Sequence, residues 1–581
     1  MKVSLFTNCF SLALLVLEPA SATKAPKGCR KLHTDSDWPA PDVWEAALPG
    51  VIRGKDSDAN GHLPDYRLRA ECAEDVQAAV SFAAKHNIRL SVITTGHDQL
   101  GRSDAGSGLL IDLSLLKGVR VQESFTPTVE GVTSLNHTEA PNVIAPKPGM
   151  GGIVTFGPAV AGLALNYALA PSGLFATSGA AATVAIGGGW GQNGGYGPFT
   201  SQHGLGVDQW LEAKIVTPDG KLRVANRVTN PDIFWAIRGG GGGTFGVVVE
   251  ATWKAYPVVP ITGYNWYINS SLPSPSEEDF ETGEMPVGAA MAYLMSELPA
   301  LQEKGITAYI YVSPNAVRCY AIHPGKLSGT ANANAVWGPI LSKMQSFPGM
   351  TPFQTKPYNF DTYKEFFDTT YGPLKSTSGQ PAEPRNRGIV PFDSRLLAAE
   401  HLKSPDLTRA LRGTRGDYGI LLTSPGQKLG PGKETSANPG WRRAVILLVG
   451  YKSNTTDVDG LRELAPDMGT YINEASVTEK DWTSSFWGTN YARLSKIKEE
   501  IDPNMMLWVS PGINADYARV VDGRECLVDP RPDKPSLYPP VTDRHVIADL
   551  EKDGDFLFGQ QELIGTKYPS PGTWVGLQPS E

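Results

Sequence analysis

Only five of the 581 residues are cysteine, and none forms a C-x-x-C pair, which excludes a thioredoxin-type redox site and a zinc ribbon. Basic residues are outnumbered by acidic ones, 52 against 60, for a formal charge of -8. A nucleic-acid binder needs the opposite field to meet phosphate. No G-x-x-x-x-G-K-[ST] stretch occurs, so a P-loop is excluded. Mean hydropathy is -0.21, which argues against a polytopic membrane protein. Charged residues reach only 19% beside 41% hydrophobic, a balance that suits a large core and not a disordered chain. What is plentiful is glycine, at 62 residues, without the Gly-X-Y period of collagen. The length exceeds the ~100–200 residues of one domain, so two or more are expected.

The N-terminus reads as a secretory signal. Lys2 precedes an apolar stretch from Cys9 to Leu17, and Ala20-Ser21-Ala22 follows, which places the expected cleavage after Ala22. The stretch is too short to cross a bilayer, where ~20 residues are needed. Secretion, or residence in the secretory lumen, is therefore expected. Cys29, Cys72, Cys319 and Cys526 remain after cleavage and allow three pairings. Cys29–Cys72 is favoured, because it would pin the N-terminal segment to the first domain. Sequons at Asn136, Asn269 and Asn454 are expected glycan acceptors in that compartment.

Local patterns suggest an α/β first half. Val76, Ala79, Val80, Ala83 and Ala84 fall on one helix face. Strand-like runs follow at 88–93 and 109–111, separated by a loop holding Thr94-Thr95-Gly96-His97-Asp98 and Gly101-Arg102-Ser103. Glycine concentrates again over 179–197 and 239–246, on either side of a hairpin with an Asp219-Gly220 turn. Such clusters free backbone amides to approach phosphate oxygens. Both contain G-x-G-x-x-G matches, at Gly189-Gly191-Gly194 and Gly241-Gly243-Gly246. A nicotinamide-dinucleotide fold requires that motif between a strand and a helix. Gly195-Tyr196-Gly197-Pro198 cannot begin a helix, and Val247-Val248-Val249 reads as a strand, so that fold is rejected twice. Between 256 and 466, runs at 308–312 and 444–449 look like strands of a separate sheet. Near the C-terminus, Leu494, Ile497 and Ile501 keep helical spacing until Asp502-Pro503 stops them.

Four blocks in order carry a resemblance: the Thr95-to-Ser103 loop; the 179–197 cluster continuing to Gly204-Leu205 and Asp208; Asp232 through Gly246; and Trp487-Gly488-Thr489-Asn490-Tyr491 with Asp502-Pro503. The chain resembles the covalent flavoprotein oxidases of the vanillyl-alcohol oxidase and p-cresol methylhydroxylase (PCMH) superfamily, in particular secreted fungal proteins similar to berberine bridge enzyme. The resemblance implies an α+β fold: a PCMH-type FAD-binding domain of two α/β subdomains, and a substrate domain whose antiparallel sheet is covered by helices. The boundaries expected are a signal peptide over 1–22, an N-terminal segment over 23–67, the FAD-binding domain over 68–257, the substrate domain over 258–466, a segment returning to the flavin domain over 467–521, and an extended tail over 522–581.

The resemblance also implies roles. His97 matches the histidine that carries FAD covalently; alone it would read as a solvent-exposed residue in a polar turn. Thr95, Gly96, Asp98, Gly101, Ser103, Gly189, Gly194, Gly195, Tyr196, Val248 and Asn490 are its implied cofactor-binding companions, with Tyr196 and Trp190 equally readable as core and Asn490 as a helix N-cap. Many relatives add a cysteinyl tether, but Ala181 stands at that place here, so a single histidyl link is expected. A base then takes the O–H or N–H proton while hydride leaves a C–H beside an alcohol, amine or phenol of a small substrate for the flavin, and O2 reoxidises the cofactor and is itself reduced to hydrogen peroxide. Tyr471 and Glu474 are the candidate bases, placed where relatives have an active-site strand and readable otherwise as ordinary strand residues with Glu474 solvated. No metal is expected, and fungal relatives often serve secondary metabolism. The alternatives are a flavin dehydrogenase or oxidative cyclase with another acceptor, and a colourless secreted binding glycoprotein.

Overall fold

The computed structural model describes residues 28–54, 64–103, 106–354, 356–371, 391–426 and 432–528. The expected signal peptide and nearly all of the expected tail lie outside the described residues. The helix read from one apolar face spans Ala73–His86, with Val76, Ala79, Val80 and Ala83 wholly buried. Asp75 closes its first turn by accepting from the Cys72 amide. Asn87, in the left-handed region at φ 56°, ends it, as a short polar side chain tolerates. The helix crosses between Tyr66–Arg69 and Leu90–Ile93, both of which pair in parallel with Leu109–Asp112.

A second, antiparallel sheet runs in the order 119–122, 152–156, 247–257, 210–216, 222–226. Its last two strands form the expected hairpin around Asp219-Gly220. A third, larger antiparallel sheet orders 350–354, 261–270, 316–324, 307–313, 418–422, 444–451 and 392–398. Helices Gly288–Lys304 and Thr330–Gln345 lie against it. Its other face meets the glycine-rich half, where Ser201 and Thr307 share a hydroxyl contact of 2.7 Å. The fold is α+β. Among the described residues no helix is long and apolar enough to cross a membrane.

The C-terminal segment returns to the first half through helix Tyr491–Ile501. Lys498, fully buried, donates to the carbonyls of Thr244 (2.6 Å) and Leu507 (2.9 Å) and to Asp502 Oδ2 (2.6 Å). Asp502 in turn accepts from the amides of Met506 and Leu507. Two charges are tolerated in the interior because each is paired and hydrogen-bonded. The pair ties the returning helix to the second glycine loop.

Two expectations need correcting. Cys29 bonds Cys526, not Cys72. Its neighbour Arg30 donates its amide to the Glu525 carbonyl, and Arg30 Nε meets Glu525 Oε1 at 3.1 Å, so the N-terminal segment is fastened to the far end of the chain. Cys72 stands at the N-cap of helix Ala73–His86 as a free, half-buried thiol. Within the expected tail, Arg524–Leu527 forms a strand against Ala518–Val521, since that is where the disulfide closes. A proteolytic digest without reductant should therefore contain one peptide pair joining residues 29 and 526. Cys72 should alkylate in the native protein while buried Cys319, its thiol pushed well up by desolvation, stays unlabelled; a 29–72 pair in the mass spectrum would refute the assignment.

Candidate active site

Three loops and the returning segment converge between the sheets. The loop after strand Leu90–Ile93 carries His97, whose Nε2 lies 2.8 Å from Thr183 Oγ1. Burial lowers the imidazole to about 4, so it is neutral, with a nucleophilic lone pair, across the physiological range. Thr95 Oγ1 accepts from the Ala185 amide, and Gly188 lies so near Thr94 that a Cβ there would sit 2.7 Å from its hydroxyl. The first glycine cluster is thus laid directly against the His97 loop. Gly242 of the second cluster approaches Gly189, and the Gly241 amide donates to the Gln192 carbonyl.

Asp98 accepts from the Arg102 backbone and guanidinium, and Arg102 Nη2 continues to Asn473 Oδ1 at 2.7 Å. Asn193 Nδ2 reaches the same oxygen at 2.9 Å. Asn473 Nδ2 donates to Tyr471 Oη at 2.7 Å and to the Gly189 carbonyl at 3.3 Å. Residues 472–474 form a 3₁₀ turn, not the expected strand, and this turn aims Asn473 and Glu474 at different partners. Glu474 Oε1 accepts from Tyr196 Oη at 2.6 Å, while Ser394 Oγ donates to the Glu474 carbonyl. Desolvation pushes the Glu474 carboxyl up to about 7, against the pull of the Tyr196 hydrogen bond. The solvated-glutamate reading fails. Burial, with Glu474 nearby, raises the Tyr196 and Tyr471 phenols far above their ordinary values.

Gly194 and Gly195 permit this packing: a Cβ on Gly195 would strike the Trp190 carbonyl at 2.7 Å, at φ 78°. Trp190 is core, its indole donating to the Tyr196 carbonyl. Gly96, Gly101 and Ser103 share the His97 loop. Val248 is buried in strand Val247–Pro257 opposite Ile215, and Asn490 donates to the Ala437 carbonyl at 2.9 Å. Asn490 occupies the N-cap position of its helix without capping it; neither side chain joins the Asn473 network. Arg102, Asn193, Asn473 and Thr183 escaped the sequence reading as site residues. Asn473 stood between two candidates, but only folding shows that it bridges them.

Residues 64–226 match a family model described as "FAD binding domain" and residues 470–514 one described as "Berberine and berberine like". The FAD-linked oxidoreductase malF of Malbranchea aurantiaca is 30% identical over 495 residues, 80% of this chain and 78% of that protein. An uncharacterized FAD-linked oxidoreductase of Arthroderma benhamiae is 29% identical over 543 residues, covering 84% and 85%. In structure the chain is similar to the VAO-type flavoprotein MtVAO713 of Myceliophthora thermophila C1 (TM-score 0.74, 24% identity, 86% of this chain and 100% of that one). It is also similar to the glucooligosaccharide oxidase of Acremonium strictum, which carries a 6-S-cysteinyl, 8α-N1-histidyl FAD (TM-score 0.60, 17% identity, 81% and 98%).

The chain's own residues fit FAD. Asn193 Oδ1 and Thr244 Oγ1 are buried without a partner, and both lie 3.1 Å from where a Gly241 Cβ would stand. A bare amide oxygen and a bare hydroxyl beside a wall without side chains suit a large flat ligand that brings its own hydrogen-bonding groups. Replacing Tyr196 with Phe removes the one hydrogen bond that lowers the Glu474 carboxyl, so its titration midpoint should rise above about 7. The infrared band of the protonated carboxyl, followed against pH, reads that rise; an unmoved midpoint would contradict the contact.

Proposed function

Because the chain belongs to the FAD-linked oxidoreductases of the vanillyl-alcohol oxidase and p-cresol methylhydroxylase superfamily, in its berberine-bridge-enzyme-like branch, we propose that it is a secreted oxidase of small organic molecules. It removes a hydride from a C–H beside an alcohol or amine, releases the O–H or N–H proton, and passes the two electrons to O2 to give hydrogen peroxide. The Tyr196–Glu474 pair carries this reading. A carboxyl at about 7 is poised to accept a proton near neutral pH, and a 2.6 Å hydrogen bond lets it draw that proton through the phenol. Tyr471 is engaged by Asn473 and so orients the site.

FAD supplies the two-electron acceptor for the hydride. His97 would hold it covalently, and with Nε2 beside the Thr183 hydroxyl the available nitrogen is Nδ1. Ala181 offers no second tether. Asn193, Thr244 and the glycine amides would line the ring system and its phosphates. The cluster formed by Tyr196, Tyr471 and Trp441, with ring centroids 5.4 to 6.4 Å apart, excludes water from the proton's path. The disulfide fits an oxidising compartment, with glycans on Asn136, Asn269 and Asn454.

The wild-type protein should stay yellow after acid precipitation, whereas His97→Ala should release its flavin to the supernatant. Acid-stable colour in that variant would remove His97 from the role.

The catalytic form needs ionised Glu474. Its folded pKa is raised, so the base is protonated below about 7; kcat/KM should climb with pH through that value and level off above it. Glu474→Gln should lower kcat by roughly 10²- to 10⁴-fold and erase the inflection, with peroxide formation as the assay. A variant that keeps both would shift the base elsewhere, and turnover of dye without peroxide would mark a dehydrogenase.

A further inference from the structure

Alternation along the large sheet decides which side chains face the glycine-rich half. Thr307 meets Ser201 there, so Tyr309 points the same way, flanked in register by Tyr320 and Leu421. Tyr309 is 5% exposed, and its hydroxyl has no hydrogen-bond partner. The neighbouring phenols are all engaged: Tyr196 with Glu474, Tyr320 with Thr370, Tyr363 with Ser178, and Tyr471 with Asn473. A buried tyrosine normally finds such a partner. One left bare beside an active site points to a ligand group that completes it.

The same sheet face leads from Tyr309 to the proposed base. Tyr311, Gly419, Val449 and Ser394 stand opposite one another on four adjacent strands, and Ser394 holds the Glu474 backbone. Gly419 leaves a gap in that row. A Cβ there would find its nearest neighbours, the Val449 carbonyl and the Tyr311 ring, only at 3.9 and 4.0 Å. A floor of glycine between a phenol ring and an isopropyl group suits a flat apolar molecule. Three strand spacings of ~4.8 Å separate the outer strands, about 14 Å in all. A span of that order accommodates a molecule of one or two rings between Tyr309 and the segment that carries Glu474. Burial first, then Tyr311, Tyr363 and Glu474, raise the Tyr309 phenol, in keeping with a desolvated space shared by these groups.

We propose that Tyr309 is a specificity-determining residue whose hydroxyl donates to a hydrogen-bond acceptor at the far end of a neutral, flat aromatic alcohol, the reacting carbon of which lies at Tyr196 and Glu474. This rests on the oxidase reading above. The test uses 4-acetylbenzyl alcohol and 4-isopropylbenzyl alcohol, two probes of nearly equal shape that differ in one acceptor. Each is titrated into the flavin-loaded protein carrying Glu474→Gln, which suppresses turnover, and binding is followed by the shift in visible flavin absorbance. With Tyr309 present the acetyl probe should bind about tenfold more tightly. Adding Tyr309→Phe should abolish that preference, leaving the isopropyl Kd, the flavin content and the Tm unchanged. The proposal is overturned if the preference survives, if both affinities fall together, if neither moves because solvent already serves the hydroxyl, or if neither probe binds at all. Should Glu474→Gln alone retain full turnover while Tyr309→Phe still removes the preference, the base is misassigned and the subsite stands.

Discussion

The site hangs on the side-chain amide of Asn473. It uses its whole capacity: two bonds accepted at Oδ1, from Arg102 and Asn193, and two donated from Nδ2, to Tyr471 and the Gly189 carbonyl. Those four partners come from the His97 loop, the first glycine cluster and the returning segment. No other side chain described in the site joins all three. A half-satisfied amide in this position would leave buried polar groups bare at a cost of about 1–3 kcal/mol each. The loops therefore hold one relative placement, and the 3₁₀ turn that presents Asn473 also fixes where Glu474 points.

That geometry divides the site electrostatically. Arg102 and Asp98 neutralise each other on the Asn473 side, whereas Glu474 has only a neutral phenol for company and is desolvated without a cation. Glu474 thus lacks the cationic partner that lies on the other side of Asn473. A buried carboxylate given an arginine partner would be held ionised and too weakly basic to take a proton at neutral pH. Leaving Glu474 without a cation costs stability above its unfolded pKa, since the folded state favours the protonated form, and puts its titration near neutral pH, where the proposed base would need it.

How much of this was legible follows from range. The helix at 73–86, the 210–226 hairpin and the helix stopped by Asp502-Pro503 rest on periodicity, turn chemistry and proline, which act over a few residues. The glycine clusters were legible as loops, and the blocks flanking His97, read together, as those of a flavoprotein. What escaped is long-range. The disulfide joins residues separated by 497 positions, and nothing in the spacing of four cysteines encodes that closure. Glu474 read equally as a base or as a solvated strand residue, because its partner, Tyr196, lies 278 positions away. Asn473 was visible in the sequence between two candidates, yet an asparagine shows no sign of its role until both loops arrive.

The same logic explains why chemistry and specificity part company along the chain. The residues that fit FAD are drawn from short, glycine-rich loops where backbone conformation does the selecting, so few sequences satisfy them and they read strongly. The face that would meet a substrate is built from ordinary strands, where any apolar side chain of suitable size keeps the sheet intact. Along such strands a tyrosine whose hydroxyl lacks a partner is indistinguishable from one that packs, and a glycine that opens a floor is indistinguishable from one that marks a bulge. Register is what separates them: Gly419 opens space only because Tyr311 and Val449 stand beside it. Strand pairing, settled by the whole sheet at once, therefore shapes the face that would meet a substrate, while local motifs mark the chain as an FAD-linked oxidoreductase.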